Sequence, residues 1–126
     1  MGLDMFLRDK KNDIELIYWR KANQIRKWFV EHLENFDFDD NLGHYDVSKE
    51  VLENLADDIE YVLAGATDKQ KVERAEEVMP TCSGFFFGNT EYDIDYFLEL
   101  RRTLDEVNSV LEMWCDGDEV YYTEWW

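Results

Sequence analysis

The chain has 126 residues, 45% of them hydrophobic and 16% aromatic, and its 30 acids against 13 bases give a net charge of −17. That length fits one domain around one core, the aromatic content excludes a disordered chain, and the charge excludes direct nucleic-acid binding through phosphate neutralisation. The charge is also uneven: residues 1–30 hold four acids and seven bases (+3), whereas residues 31–126 hold twenty-six acids and six bases (−20).

In chain order, Leu3, Met5 and Leu7 alternate with polar Asp4, which predicts a half-buried strand, and Lys10 to Asp13 make a turn. Ile14 to Tyr18 fits either a second short strand or the first turn of a helix, and the strand is favoured. The stretch Tyr18 to Phe36 organises the rest: Tyr18, Ala22, Ile25, Phe29, Leu33 and Phe36 keep a 3.6-residue period. These positions span a sector of roughly 80°, widened by Trp19, Val30 and Trp28. Arg20, Asn23, Gln24 and Lys27 occupy the opposite, polar face.

A strand is possible at Gly43 to Val47. Ser48 then caps a helix from Lys49 to about Ala64, with Val47 placed to staple Leu52. Its core stripe is Val51, Leu52, Leu55, Ile59, Val62 and Leu63, and Gly65 is expected to end it in a left-handed conformation. Thr67 and Gln70 form a capping box opening a helix to about Met79, packed through Val72, Ala75 and Met79 and stopped by Pro80. Ser83 to Gly88, SGFFFG, reads as a buried strand or aromatic plug. Thr90 is expected to cap a last helix to about Cys115, with Phe97, Leu100, Leu104, Val107, Leu111 and Trp114 at spacings of three and four. Asp116 to Asp118 break the chain before a final strand, VYYTEWW, aromatic on both faces. The predicted fold is α+β, a single domain of three to four helices packed with a small antiparallel sheet.

YWRKAN at Tyr18 to Asn23, SGFFFG at Ser83 to Gly88, TEYD at Thr90 to Asp93, the opening MGLDM and the aromatic tail resemble a family of small proteins encoded by bacteriophages and prophages. The resemblance covers most of the length, although this chain is shorter than many relatives between its second and third helices. It implies a phage origin and no particular catalysis.

Neither GxxxxGK[ST] nor GxGxxG occurs, so a phosphate cradle is not expected. His32 and His44 lack an HExxH or CxxC context; His32 belongs at the edge of the central helix's buried face and His44 in a polar loop. Counting an EF-hand from Asp37 puts Leu42 at the glycine position and Ser48 at the bidentate glutamate, so the match fails. Cys82 and Cys115 read as buried, reduced thiols, since MGLDMFLRDKK lacks a secretory apolar run. Phe6 stands where myristoylation wants Ser or Thr. No stretch approaches the ~20 apolar residues of a membrane span. No catalytic residue, metal ligand or cofactor is assigned.

Arg20, Lys21, Arg26 and Lys27 interleave with Trp19 and Trp28, and the acidic surroundings argue that these cations pair with neighbouring carboxylates. The acids are better organised than solubility requires. Glu50, Glu53, Asp57 and Glu60 stack along one face of the second helix with no Lys or Arg among them. Like charges at i,i+4 oppose helix formation by roughly 0.2–0.5 kcal/mol per pair, so helix stability does not explain the row. Asp37, Asp39 and Asp40 extend it in the adjoining loop. A weaker row, Glu91, Asp95, Glu99 and Glu106, follows on the last helix, with Arg101 and Arg102 placed to answer Asp105 and Glu106. Carboxylates about 5–6 Å apart approximate the spacing of backbone phosphates. The expectation is an acidic nucleic-acid mimic in the infected host's cytoplasm, binding a defence protein with a basic nucleic-acid channel, such as a CRISPR effector. The alternative is a small accessory enzyme or ligand-binding protein with a cleft lined by SGFFFG and the aromatic tail. A solvated helix face remains the competing reading of the acidic row.

Overall fold

The computed structural model describes residues 2–34, 36, 43–83 and 89–126. Strands β1 (Asp4–Asp9) and β2 (Ile14–Arg20) form an antiparallel hairpin. Its turn is built by Asp9, whose Oδ1 accepts from the Lys11 and Asn12 amides at 2.9 and 3.3 Å and whose Oδ2 accepts from Asn12 Nδ2 at 2.9 Å. These bonds hold the Asp9 carboxyl below its ordinary pKa, the Asn12 side chain contributing most. Asp13, at φ 52°, completes the reversal.

The central helix is shorter than its periodicity suggests: α1 runs Asn23–His32, and Tyr18, Trp19 and Arg20 belong to β2. Those three residues face Phe6, Met5 and Asp4 across the ladder, which satisfies their backbone groups as strand. Lys21, at φ 55°, turns the chain into the helix, and its amide donates to the Leu3 carbonyl at 2.7 Å. At the other end Leu33 is already extended, so Phe36 lies outside the helix. The expected polar face is also only half exposed, because Asn23 and Gln24 are buried. Asn23 joins two distant segments: its Oδ1 accepts from the Cys82 amide at 3.0 Å, and its Nδ2 donates to the Asn89 carbonyl at 2.8 Å.

After β3 (Tyr45–Val47), Ser48 Oγ accepts from the Val51 amide at 3.2 Å and opens α2 (Lys49–Leu63), which buries Leu52, Leu55, Ile59 and Val62. Gly65 has no positive φ. Its role is spatial, since a Cβ there would lie 2.8 Å from the Lys71 amide nitrogen. That amide belongs to α3 (Asp68–Val78), which Thr67 caps through the Gln70 amide at 3.1 Å, while Gln70 Oε1 accepts from the Ala66 amide at 2.8 Å. The last helix, α4 (Ile94–Met113), is capped by Asp93 rather than Thr90: Asp93 Oδ1 accepts from the Tyr96 amide at 3.1 Å. Thr90 instead ties two loops, its carbonyl accepting from Thr81 Oγ1 at 2.9 Å. SGFFFG lies outside the described residues from position 84 to 88.

The C-terminal strand β4 (Val120–Trp125) inserts between β1 and β3, giving an antiparallel sheet of order β2-β1-β4-β3. The α+β expectation therefore holds, with four helices and four strands among the described residues. Register separates the faces. Trp19, Met5 and Glu124 form one row and Ile17, Leu7, Tyr122 and Tyr45 the next, all buried beneath the helices. Phe29 of α1 packs on Trp19 and Tyr122 with ring centroids 5.9 and 4.5 Å apart, and Trp19 Nε1 donates to Thr103 of α4 at 2.9 Å. Because α2 packs on α4 and α3 on α2, the helical layer covers this face of the sheet. No helix among the described residues is long and apolar enough to cross a membrane.

Candidate functional site: an acidic helix face and a histidine-lined cleft

Helix α2 is fixed by a buried stripe, and its opposite side carries Glu50, Glu53, Asp57 and Glu60, all exposed. Among the described residues none of these four carboxylates accepts a side-chain hydrogen bond or enters an ion pair. Asp58, next in sequence to Asp57, is used differently: its Oδ2 accepts from Trp28 Nε1 at 2.8 Å and ties α2 to α1. Asp37, Asp39 and Asp40 lie outside the described residues. The second acidic row is broken, because Glu91 precedes α4 and Arg102 bridges Glu99, at 2.5 Å, and Glu106. Of the two carboxylates expected for Arg101 and Arg102, Arg102 answers Glu106, while its other partner is Glu99 and not Asp105. Both acids raise the Arg102 pKa, the Glu99 hydrogen bond most.

Three cations of the basic cluster do pair with carboxylates. Arg20 meets Asp4 at 3.0 Å, and Lys27 meets Glu31 at 3.9 Å. Tyr18 donates to the same Asp4 at 2.5 Å, a bond that raises the phenol's pKa. Arg26 is different in kind, since it is 3% exposed and its partner Glu124 1%. Glu124 accepts from Arg26 Nε at 2.9 Å and from its terminal nitrogen at 2.8 Å, from the Tyr122 hydroxyl at 2.7 Å and from Trp126 Nε1 at 3.0 Å. Burial, and then the Glu124 charge, push the Tyr122 phenol well above its ordinary pKa. The sequence reading missed this network, although one signal pointed to it: Glu124 stands two residues from Tyr122 in an aromatic strand, on the same face.

A cleft of about 850 Å³ opens between the end of α1, β3, the start of α2 and the entry to β4. His32, Glu34, His44, Asp46, Trp114 and Glu119 are among its lining residues. Both histidines are exposed and held on aromatic rings: His32 stacks on Trp28 at 3.8 Å with Nδ1 2.7 Å from the Trp28 carbonyl, and His44 stacks on Tyr121 at 4.3 Å. The described residues contain no group of three His, Cys, Asp or Glu that would hold a metal ion. The thiols correct another expectation, for Cys82 is only partly buried and Cys115 is exposed; both are free.

Compared with protein-family models, characterised proteins and solved structures, the chain matches none.

Proposed function

We propose that this chain is a phage-encoded acidic inhibitor that mimics nucleic acid in the cytoplasm of an infected host and occupies the basic channel of a defence protein, a CRISPR effector being the leading class. The reading rests on one observation: Glu50, Glu53, Asp57 and Glu60 stand exposed in a row on a helix whose other side is locked into the core, and among the described residues none is answered by an internal cation. A rigid row loses little conformational freedom on binding and presents carboxylates to a cationic groove at fixed spacing. The phage resemblance of YWRKAN and TEYD agrees with such a role. Affinity purification of the tagged chain from host lysate at low salt tests it: a nucleic-acid-binding protein should be recovered and should be released as salt rises. Recovery of no such protein at low salt contradicts the proposal.

The cleft beside His32 and His44 favours a second reading, a small-ligand or accessory-enzyme role. A ligand at a hundred times its dissociation constant stabilises by about 2.7 kcal/mol, so a thermal-shift screen of nucleotides and divalent metals distinguishes the two.

A further inference from the structure

Strand β2 is an open edge of the sheet: β1 pairs on one side of it and no described strand on the other. The hairpin register fixes which backbone groups that edge presents. The Lys21 amide donates to the Leu3 carbonyl, and these two residues stand opposite each other one step beyond Asp4 and Arg20, so they form a hydrogen-bonded pair. Alternation along an antiparallel ladder then bonds Met5 with Trp19 and Leu7 with Ile17, and leaves Arg20 opposite Asp4 and Tyr18 opposite Phe6 without ladder bonds between them. The N–H and C=O groups of Tyr18 and Arg20 therefore point away from β1, out of the open edge. Both residues are exposed, and no turn, loop or cap bond of the described backbone uses these groups. The register shift between Leu7 and Arg8 confines the regular edge to this end of β2. The opposite edge of the sheet, β3, has only three residues.

Beside this edge a pocket of about 270 Å³ lies between the end of β2 and the first turns of α4, with Glu91, Asp93, Asp95 and Glu99 set against Arg20 and Lys21. Arg20 is drawn to Asp4, Asp93 caps α4 and Glu99 holds Arg102. Glu91 and Asp95 are exposed, and among the described residues no cation answers them. We propose that the β2 edge takes up an extended basic peptide segment as a further antiparallel strand, with a lysine or arginine of that segment in the pocket at Glu91 and Asp95. A strand about 4.8 Å beyond β2 bonds its backbone to Tyr18 and Arg20. Its residues opposite those two share their outer face of the sheet, and the intervening residue, opposite Trp19, turns toward the helices, where Trp19 is buried against Thr103 of α4. The inward side chains are thus the ones that the pocket receives, and its surplus of carboxylates selects cationic ones. Charge also chooses between occupants: a second copy would bring its own −17 to the edge, whereas a basic segment meets an attractive field. Main-chain bonds supply the affinity of such a contact, so it does not need the ~800 Å² per partner of a stable globular interface. The site shares no residue with the acidic row on α2.

Fluorescence anisotropy of a labelled heptapeptide, Thr-Lys-Val-Lys-Val-Lys-Thr, titrated with the full chain tests this independently of any natural partner. In the added strand the Val amides face the edge and the Lys side chains turn inward, and saturable binding is expected below ~1 mM. N-methylation of both Val amides should weaken it at least about tenfold, because it removes donors aimed at β2, whereas N-methylation of two Lys amides, which point to solvent, should change it less than about threefold. The two methylated peptides carry the same charge, so attraction to the acidic chain alone does not distinguish them. On the protein, Glu91→Gln with Asp95→Asn should weaken binding at least about threefold with an unchanged circular-dichroism spectrum, whereas Glu53→Gln with Asp57→Asn on α2 removes the same charge and should not. The absence of saturable binding up to ~1 mM overturns the proposal. So do equal affinities for the two methylated peptides or equal effects of the two acid pairs. Sedimentation of the chain alone as a dimer that the peptide dissociates would give the edge to a second copy and overturn it as well.

Discussion

Glu124 shows how much one buried side chain can control, because its carboxylate collects Arg26, Tyr122 and Trp126 in a region with almost no solvent. Removing one partner of a buried ion pair leaves the other charge uncompensated, typically at 3–5 kcal/mol. Glu124→Gln should therefore lower unfolding stability in urea by about 3 kcal/mol, and Tyr122→Phe by about 1–2 kcal/mol; a loss below about 0.5 kcal/mol for the glutamine variant would mean that the network contributes little. Burial also raises the Tyr96 phenol, whose hydroxyl donates to the Met79 carbonyl at 2.6 Å. Both Tyr96 and Tyr122 have folded-state pKa values above the unfolded value of about 10. Their stabilising contribution is thus complete below pH ~10 and is lost as pH rises through and beyond it. Melting temperatures should hold from pH 7 to about 9.5 and fall above that, and Tyr96→Phe with Tyr122→Phe should flatten the fall. An equally steep fall in the double variant would place the alkaline sensitivity elsewhere.

Two helix junctions illustrate what periodicity conveys and what it omits. Gly65 marks the end of α2 in the sequence, but the reason lies in α3, whose Lys71 nitrogen and Cα would sit 2.8 and 3.1 Å from an added Cβ. Gly65→Ala should consequently destabilise by about 1–3 kcal/mol through overpacking; if space were not limiting, Ala would be neutral or slightly stabilising at a glycine without positive φ. At the start of α4, Asp93→Ala should cost about 0.5–2 kcal/mol in chemical denaturation and Thr90→Ala much less, because only Asp93 accepts from the helix. Equal losses would restore Thr90 as the cap. The capping residues Ser48 and Thr67, the core stripe of α2 and the C-terminal strand were legible because each depends on neighbours within one element. The start of α1 was not, since Tyr18 to Arg20 satisfy both a helical and an alternating pattern, and only pairing with β1 decides between them. The Arg26–Glu124 contact spans 98 residues and no local pattern encodes it. The acidic row was legible in full on α2, where helical spacing alone places Glu50, Glu53, Asp57 and Glu60 on the side away from the buried leucines.

At the scale of the molecule, the row Glu50, Glu53, Asp57 and Glu60, unanswered by any cation among the described residues, lies in the helical layer on one side of the sheet, while the other face of the sheet mixes Asp4, Glu15 and Asp46 with Arg8 and Arg20. Self-repulsion at −17 opposes compactness, and the row on α2 adds to it without a folding benefit. The proposed inhibitor role gives that arrangement a use, and charge reversal at two of its positions isolates it from the rest of the structure. Glu53 and Asp57 are exposed, so replacing both by Lys leaves the buried stripe untouched and relieves repulsion within the helix. Replacing both by Gln removes attraction without adding repulsion toward a partner's cations. The decisive measurement is the amount of nucleic-acid-binding protein that the parent, the double Gln and the double Lys variants each recover from host lysate at low salt, with folding checked by circular dichroism. The account predicts strong recovery by the parent, a reduced amount with Gln and at least a tenfold loss with Lys; a folded double Lys variant that recovers the same partner as the parent would contradict it.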